Sequence, residues 1–567
     1  MKRNILLSLV MLVALVIPGS ANVAALTRVS LGIFQLRGLP FLSVLGFLLI
    51  IISSVSYLSS KYEPQTVDPL KRSEKYNSKY WLVVLPFILV IVTYIWFISA
   101  GEWTSWPQTA TYDYESKLAT AFQNGHLFLE DTPSQQLLAL PDPYRLSTRR
   151  NIPFIWDASL YKDKYYLYWG PTPAIVLLAI RLIFGLGDIG DIYLVFAFLC
   201  GLFLTMSLLV VRIWDRYFTH LPKWMLLISI FMVGLATPLT WMLNRPEVYE
   251  AAIASGQFFL LGGLYLAFVA VERDKISVWL LCLASVFWGL AIGSRTSLVF
   301  TVLFLIFSTS LWVGLNRSSL NLSGRFVKIM VALIFPISLI GVGLGWYNWA
   351  RFGSIFEFGY RYQLTLLELP KRYGEIFSPA YIIPNLFNYF LNPFLLSDKF
   401  PFIIPQYGKH YFGTRVIFPR IYYSETLTGL VYTLPMMVLA IIPPLLLLKN
   451  MRLNEGMRQK LLNWLKYNLI GIAFIGFATL LAFFFATMRY LADVVPVVTL
   501  LCVLGFWQGF EYFAQYKLLR SIYSGSSMFL ITVSIILSNL LAISSYQERF
   551  WVTNPSLMEQ LNRLFGH

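Results

Sequence analysis

Residues 111–129 read TYDYESKLATAFQNGHLFL, and residues 142–175 read DPYRLSTRRNIPFIWDASLYKDKYYLYWGPTPAI. Together they form the longest polar interruption in the front half of a very apolar chain, and they follow directly on an apolar run over about 80–100. They mix acids, tyrosines and arginines with short apolar runs. Because loops held by a rigid scaffold often carry function, this stretch is the first place to look for a functional site.

The composition places the chain among membrane proteins. Of its 567 residues 57% are hydrophobic and only 13% are charged, and the mean hydropathy is +0.65. Soluble domains carry roughly 25% charged residues. Apolar runs of about 20 residues recur along the chain, and each is long enough to cross a hydrocarbon core of about 30 Å. The sequence therefore predicts an all-α polytopic membrane protein.

The apolar runs predict about thirteen transmembrane helices. Two of them form an N-terminal transmembrane hairpin, and this hairpin and the cytoplasmic loop after it make up residues 1–79. The first helix is expected to be an uncleaved anchor near 1–26, and a cleaved signal peptide is the alternative. The second helix covers about 39–58. The other eleven belong to a module over 80–567, at about 80–100, 190–211, 224–242, 253–271, 277–293, 297–315, 329–348, 426–448, 467–487, 491–510 and 526–545. Two long segments between them, about 101–189 and 349–425, are expected on the outer face and packed together.

The charge pattern sets the predicted orientation. The net charge is +16, but much of the Lys and Arg lies in short segments beside apolar runs, which is typical of cytoplasmic loops and not of a nucleic-acid-binding surface. Alternating sides from a cytoplasmic N-terminus puts these basic clusters inside only if the short run over about 172–186, which contains Arg181, is interfacial or re-entrant. The predicted location is the inner (plasma) membrane, with the functional face outside.

Asp113 is the leading candidate for a general base. It begins a short amphipathic helix that ends near Gly125, and a carboxylate held against an apolar surface can have a raised pKa and accept a proton. The same position also suits a helix N-cap, for which Asp is among the best residues. Glu115 and Asp157 are further outer-face acids, and a solvated turn aspartate is the alternative interpretation of Asp157.

Four arginines near predicted span ends could bind a lipid-linked phosphate, because the guanidinium group offers a planar fork of donors. These donor-site candidates are Arg245, Arg295, Arg351 and Arg489, with Tyr490 beside the last. The alternative is that the arginines extend to the interface or pair with nearby acids. The acids concerned are Glu247, Glu250, Glu357 and Asp493.

Signals for metal or nucleotide binding are absent from the sequence. The three cysteines lie inside apolar runs and the four histidines are scattered, so neither a disulfide framework nor a metal-ligand spacing is visible. There is no Gly-rich phosphate-binding loop, no Walker pattern and no Ser/His/Asp arrangement. No cofactor is therefore assigned from the residues.

The order of a span, then TYDYESKLATAFQNG, then WDASLYKDKYYLYWGPTPAIVLLAI resembles the GT-C membrane glycosyltransferases. The most similar branch is the bacterial protein-mannosyltransferase-like and lipid-A aminoarabinose-transferase-like proteins. The segments RPEVYEAAIASGQFFLLGG, WYNWARFGSIFEFGYRYQL and MRYLADVVP look like those of bacterial members, so that the resemblance covers about 80–510. Many members have two adjacent acids at the base position, whereas here Tyr114 separates Asp113 from Glu115. This departure leaves open which acid acts and whether a divalent metal takes part.

The resemblance implies a GT-C-like fold and an inverting transfer of a sugar from a polyprenyl-phosphate donor to a lipid, glycan or protein acceptor on the outer face. Asp113 maps to the family's acid. A transporter or flippase of lipid-linked sugars is the rival interpretation. A transporter would more often show mid-span polar residues and internal repeats, whereas the spans here are mostly apolar and no clear repeat is visible, which favours the enzyme. A non-catalytic assembly protein is a third. Membrane lipids are expected partners in every case, and nucleic acid in none.

Overall fold

The computed structural model describes residues 52–59, 81–103, 106, 113–316, 324–408, 421–450, 456–544 and 548–564. The predicted anchor near 1–26, most of the run over about 39–58 and the cytoplasmic loop up to residue 79 lie outside the described residues. A helix covers 52–59. The described part is mostly α-helical.

The helices are numbered here in chain order from residue 81. They are α1 Trp81–Ile98, α2 Tyr114–Gln123, α3 Gln135–Leu138, α4 Thr172–Phe184, α5 Asp191–Ile213, α6 Trp224–Leu235, α7 Leu239–Leu243, α8 Val248–Glu272, α9 Val278–Ser294, α10 Val299–Asn316, α11 Gly324–Phe352, α12 Leu369–Arg372, α13 Ile382–Leu386, α14 Leu430–Thr433, α15 Ile442–Asn450, α16 Met457–Ala482, α17 Val495–Tyr512, α18 Lys517–Ile543, α19 Arg549–Thr553 and α20 Pro555–Leu564. The strands are short: β1 Ser159–Tyr161, β2 Lys164–Tyr166, β3 Phe394–Leu396, β4 Ile403–Tyr407, β5 Tyr423–Ser424, β6 Thr426–Leu427 and β7 Phe485–Ala486.

The long helices match the predicted spans. In the described part, 7 helices are long and apolar enough to cross a membrane, namely α5 with its continuation to Phe218, α8, α10 with the turn before it, α11, α16, α17 and α18. Together with the shorter apolar helices α1, α6 and α9 and the segment Pro435–Lys449, they coincide with the eleven runs predicted over 80–545. The chain is thus an integral, all-α multi-pass membrane protein. The total of thirteen spans depends on residues outside the described part.

Two predicted spans are interrupted. The run over 224–242 is split into α6 and α7, with Pro238 at the start of the second helix. The run over 426–448 begins as α14, continues as a 3-10 turn from Pro435 to Ile441 and becomes α15 only then. In both cases a proline removes a backbone donor where a continuous helix would need one.

Antiparallel packing of the long helices gathers one set of helix ends into what we call the loop end, which comprises residues 113–190, 244–247, 353–408, 421–429 and 483–494. The side-chain amide of Asn244, which caps the C-terminus of α7, donates to the Ala542 carbonyl in α18 at 2.8 Å. Arg351 near the end of α11 donates to the Leu167 carbonyl at 2.6 Å. The described connections at the opposite end are short and include Arg216, Lys223, Arg273 and Lys275.

Helix α4 does not cross the bundle. It has 13 residues and is therefore about 20 Å long, too short for a hydrocarbon core of about 30 Å. Before it, Gly170 packs so closely on α9 that an added Cβ would lie 1.9 Å from the Gly293 carbonyl oxygen. After it, Asp188 pairs with Arg181 at 2.5 Å, and Arg181 also donates to the Ser116 hydroxyl on α2 at 2.7 Å. Both ends of α4 are thus held at the loop end, in agreement with the interfacial or re-entrant prediction.

The two long loop-end segments pack against each other. The Asp157 amide donates to the Leu364 carbonyl at 3.0 Å, and the Leu364 amide donates to the Ala158 carbonyl at 2.9 Å. The Ser159 hydroxyl donates to the Gly359 carbonyl at 2.9 Å, where glycine at φ 89° supplies the turn. The loop end also contains three small sheets, namely the antiparallel pair β1–β2, the antiparallel three-stranded sheet β3–β4–β6 and the parallel pair β5–β7. The β5–β7 pair places residue 425 beside residues 486–489.

The helices differ in how deeply they are packed. The apolar window of α17 is 89% buried and that of α8 is 78% buried, whereas that of α11 is 17% buried. Helices α8 and α17 therefore form the centre of the bundle and α11 lies at its edge. The candidate site lies at the loop-end tips of these two central helices.

Candidate active site

Asp157 is a buried acid of the loop end. Its backbone is left-handed at φ 59°, a conformation that aspartate adopts more readily than most residues. Its Oδ2 atom accepts a hydrogen bond from the Tyr249 hydroxyl in the first turn of α8. Only 8% of the residue is exposed. Asp157 is thus a turn aspartate, but its carboxylate points into the protein and not into solvent.

Burial changes the acidity of Asp157. Removal from water raises the pKa of this carboxyl group, and the hydrogen bonds from Tyr249 and Thr365 and the charge of Arg489 only partly offset the rise. A carboxylate with a raised pKa is a better proton acceptor near neutral pH than an exposed aspartate.

Two arginines converge on one glutamate next to Asp157. Arg489 lies in the 3-10 turn Met488–Asp493 that precedes α17, and Arg245 lies just before α8. The Glu425 Oε2 atom is 2.9 Å from Arg489 Nη1 and 3.6 Å from Arg245 Nη1. The same oxygen accepts a hydrogen bond from the Thr487 hydroxyl at 2.7 Å.

Tyr249 connects the acid to the arginines. The Tyr249 hydroxyl donates a hydrogen bond to Asp157. The guanidinium carbons of Arg489 and Arg245 lie 4.4 Å and 5.7 Å from the centroid of the Tyr249 ring. Contacts at these distances are attractive because the aromatic face is electron-rich. A substitution of Tyr249 would therefore change the contacts of Asp157 and of both arginines.

The two arginines favour the charged form of the Glu425 carboxylate. Burial alone would raise the pKa of Glu425, but Arg489 and Arg245 outweigh it, so the pKa is below its usual value. Arg245 also pairs with Glu247 at 3.0 Å. Among the described residues, the Glu250 carboxylate oxygens find no hydrogen bond, and the opposite charges that face this side chain are those of Arg245 and Arg489.

Aromatic side chains line the cluster. The Tyr168 ring lies 5.0 Å from that of Tyr360 and 4.0 Å from that of Trp169, and Trp169 lies 5.2 Å from Tyr249. Burial raises the pKa of Tyr168 and of Tyr360, so that both hydroxyls stay protonated and can donate hydrogen bonds. Rings and donors of this kind can pack on a sugar and bind its hydroxyls.

A second ion pair lies beside the first cluster. Arg295, at the junction of α9 and α10, is 2.7 Å from Asp493. Its guanidinium carbon lies 5.1 Å from the Tyr490 ring centroid, and that of Arg489 lies 5.7 Å from the same ring. The predicted residues Arg245, Arg295, Arg489, Tyr490, Glu250 and Asp493 thus lie in one connected region with Asp157.

Asp113 occupies a different place. It is the residue before α2, but its side chain makes no hydrogen bond to that helix. Its Oδ1 atom instead accepts from the Asp191 amide at 3.0 Å, and the Asp191 carboxylate accepts from the Glu115 and Ser116 amides at 3.1 and 2.8 Å. The two aspartates thus satisfy free amides at the starts of each other's helices, α5 and α2. Burial raises the pKa of Asp113, and the charge of Asp188 adds to the rise.

No ion pair joins Asp113 to any of the four predicted arginines within the ranges that the structure describes. Glu115 is fully buried in the same helix start, and burial raises its pKa well above its usual value. The structure therefore separates the three predicted acids. Asp157 lies with the arginines, while Asp113 and Glu115 lie at the α2–α5 junction.

The contacts of Arg351 and Glu357 also lie outside the cluster around Asp157. Arg351 donates to the Leu167 carbonyl at 2.6 Å and to Asn348 Oδ1 at 2.9 Å, and it stacks on Tyr347 at 3.7 Å. It thereby anchors the segment that leads from Asp157 to α4. Glu357 accepts from the Gly359 amide at 2.9 Å and pairs with Arg361 at 3.4 Å, which shapes the turn that Ser159 contacts.

Sequence reasoning missed Glu425, Tyr249 and Thr487. Glu425 had one usable signal, because it is the only acid between residues 421 and 450 and stands shortly before a long apolar run. Its pairing with Arg489 depends on the parallel β5–β7 contact, which joins segments about sixty residues apart. Strands of two residues are too short to show the alternation of apolar and polar residues that predicts a strand.

In the portion of the chain that the structure describes, His, Cys, Asp and Glu form no group of three or more that could hold a metal ion. No family model matches the chain, and no curated protein matches it. Among solved structures, it is similar to the crystal structure of ArnT from Cupriavidus metallidurans bound to undecaprenyl phosphate. The identity is 12%, the TM-score is 0.37, and the match covers 82% of this chain and 78% of that chain.

Proposed function

We propose that this chain is an inverting membrane glycosyltransferase that takes a sugar from a polyprenyl-phosphate donor. The observation that carries the proposal is the loop-end cluster, in which the buried Asp157 is joined through Tyr249 to Arg489 and Arg245. A phosphate leaving group needs fixed positive charge, and an acceptor hydroxyl needs a base. The resemblance of the 111–175 stretch to GT-C enzymes agrees with this chemistry.

In the proposed reaction the acceptor hydroxyl oxygen attacks the anomeric carbon from the face opposite the phosphate. The bond from that carbon to the phosphate oxygen breaks, and its electron pair leaves with the polyprenyl phosphate. The hydroxyl proton passes to Asp157, whose raised pKa suits it to accept the proton. Configuration at the anomeric carbon inverts because there is a single displacement.

Arg489 and Arg245 stabilise the charge that develops on the leaving phosphate. Both lie at the tips of central helices, Arg489 before α17 and Arg245 before α8, so their positions are set by rigid elements. Tyr168 and Tyr360 pack on the sugar. Arg295 and Asp493 support Tyr490 at the edge of the cluster.

We place the loop end outside the inner membrane. The basic connections at the opposite end are the segments that the positive-inside rule puts in the cytoplasm. A polyprenyl donor can reach the loop end from the bilayer, while a lipid, glycan or protein acceptor reaches it from the aqueous side.

The test uses the purified protein in liposomes with a labelled polyprenyl-phosphate sugar and a mixture of envelope acceptors. Release of polyprenyl phosphate together with labelled acceptor supports a transferase. Asp157→Asn should reduce release by about a hundred- to ten-thousand-fold, the usual loss for a general base.

The matched control is Asp163→Asn. Asp163 lies in the adjacent hairpin with a similar left-handed backbone at φ 58°, but it is exposed. It should keep the wild-type rate. Movement of labelled donor across the bilayer without release of polyprenyl phosphate would instead indicate a transporter. The absence of both release and movement would indicate a non-catalytic assembly protein.

A further inference from the structure

The oxygen of Glu425 that meets the arginines is placed like an oxygen of a bound anion. Oε2 alone contacts Arg489 Nη1 at 2.9 Å, the Thr487 hydroxyl at 2.7 Å and Arg245 Nη1 at 3.6 Å. Two guanidinium groups and a hydroxyl around one oxygen are the donors that proteins use for phosphate oxygens.

Glu425 differs from the other acids of the cluster in how it is attached. Glu247 and Glu250 lie at the start of helix α8 and are almost fully buried, whereas the Glu425 side chain comes from a loop and is 15% exposed. Its backbone is held separately, because its amide donates to the Ala486 carbonyl at 2.9 Å and its carbonyl accepts from the Gly408 amide at 3.3 Å. A rotation about the side-chain bonds can therefore withdraw the carboxylate while the backbone of residue 425 stays in place.

We propose that the position of Glu425 Oε2 is the subsite of a phosphate oxygen, and that the Glu425 carboxylate leaves this position when the phosphate enters. The inference rests on the proposed function for the identification of that phosphate as the one on the donor. Without donor, Glu425 pairs with the buried Arg489 and also lies near Arg245, so the Arg489 charge is not left unpaired. When donor binds, the phosphate takes over this pairing and the glutamate turns to the exposed side of the loop.

An internal competitor weakens apparent affinity by the fraction of molecules in which the site is free. If Glu425 occupies the subsite in about 90–99% of molecules, removal of its charge should tighten phosphate binding roughly ten- to a hundredfold. A permanent structural bridge predicts the opposite, because losing the glutamate would then disorder the arginines and weaken binding.

The experiment measures dissociation constants by calorimetry on the full-length protein in detergent micelles. The ligands are a polyprenyl phosphate, inorganic phosphate and the uncharged polyprenol. The variants are Glu425→Gln, Glu425→Asp, which keeps the charge on a side chain one methylene shorter, and Glu247→Gln. Glu247→Gln is the matched control because it also removes a negative charge next to Arg245 but from a helix that cannot withdraw it.

The expected result is that Glu425→Gln tightens polyprenyl phosphate binding at least tenfold, Glu425→Asp tightens it less, and Glu247→Gln tightens it by under threefold. Polyprenol binding should not change. An equal gain for inorganic phosphate would support a subsite that reads the phosphate alone, and a gain only for the lipid would support a subsite that needs the lipid headgroup in place.

Equal tightening by Glu247→Gln would mean that general charge and not exchange controls affinity, and it would overturn the proposal. Unchanged or weaker binding in both Glu425 variants would overturn it as well, while leaving the transferase proposal intact. Failure of wild type and all variants to bind polyprenyl phosphate would overturn both. The Glu425→Asp arm keeps the question answerable if Glu425→Gln does not fold.

Discussion

Arg489→Ala should harm both stability and transfer, and a second substitution should separate the two effects. Truncation leaves Glu425 with the more distant Arg245 at 3.6 Å and the Thr487 hydroxyl as its polar partners of the cluster. Breaking a buried ion pair costs about 3–5 kcal/mol, and the partial exposure of Glu425 places the loss at about 3 kcal/mol. Arg489→Ala with Glu425→Gln removes both charges and should regain about 2 kcal/mol of that loss.

Transfer should not recover in the double variant. Losing a buried contact to the donor phosphate costs about 2–5 kcal/mol, which corresponds to roughly a 30- to 5,000-fold lower kcat/KM. The free energy of unfolding is measured by denaturant titration in mixed micelles, and kcat/KM by release of polyprenyl phosphate. A double variant that regained transfer together with stability would show that Arg489 serves only the fold, and the assignment of Arg489 to the phosphate would fail.

Three further outcomes follow from the geometry. Tyr249→Phe keeps the ring but removes the hydroxyl that lowers the pKa of Asp157, so the acidic limb of the pH–rate profile should move to higher pH; an unmoved limb would separate Tyr249 from the reacting acid. Gly170→Ala should lower the free energy of unfolding by about 1–3 kcal/mol, because its Cβ would collide with the backbone of α9, and an unchanged denaturation midpoint would contradict the placement of α4. In sealed cells an impermeant thiol reagent should label Arg150→Cys and not Asp274→Cys, and the reverse pattern would invert the topology.

The helical framework could be read from the sequence because it depends on local properties. Apolar runs of sufficient length mark spans, and each run predicted over 80–545 is occupied by apolar helix. The short run containing Arg181 could also be identified, since its length and its charge both argue against crossing. The sequence shows Pro238 and Pro435 but does not show that the helices are interrupted there. Prolines are tolerated inside some membrane helices, as Pro336 is inside α11.

The site was only partly predictable, because it depends on contacts between distant segments. The arginines near span ends could be identified by their cost in a membrane, but the partner of Arg489 turned out to be Glu425, which reaches it through a two-residue strand pair. Asp157 was one of three candidate acids, and local spacing could not show that Tyr249, 92 residues away, would bind it. Asp113 ranked first because it resembles the family's acid by position. Its bond to the Asp191 amide depends on how α2 meets α5, which no local pattern encodes.

The central claim is that the reacting acid is the one that lies with the arginines. It is tested most directly by the single-turnover transfer rates of Asp157→Asn and Asp113→Asn at saturating donor, with donor binding measured on the same preparations. Asn can still accept the hydrogen bond from the Asp191 amide and caps helices about as well as Asp, so Asp113→Asn should stay within about threefold of wild type. Asp157→Asn should bind donor and transfer at least about a hundredfold more slowly. Near-normal transfer by Asp157→Asn, with the loss falling on Asp113→Asn instead, would contradict the account and move the reaction to the α2–α5 junction.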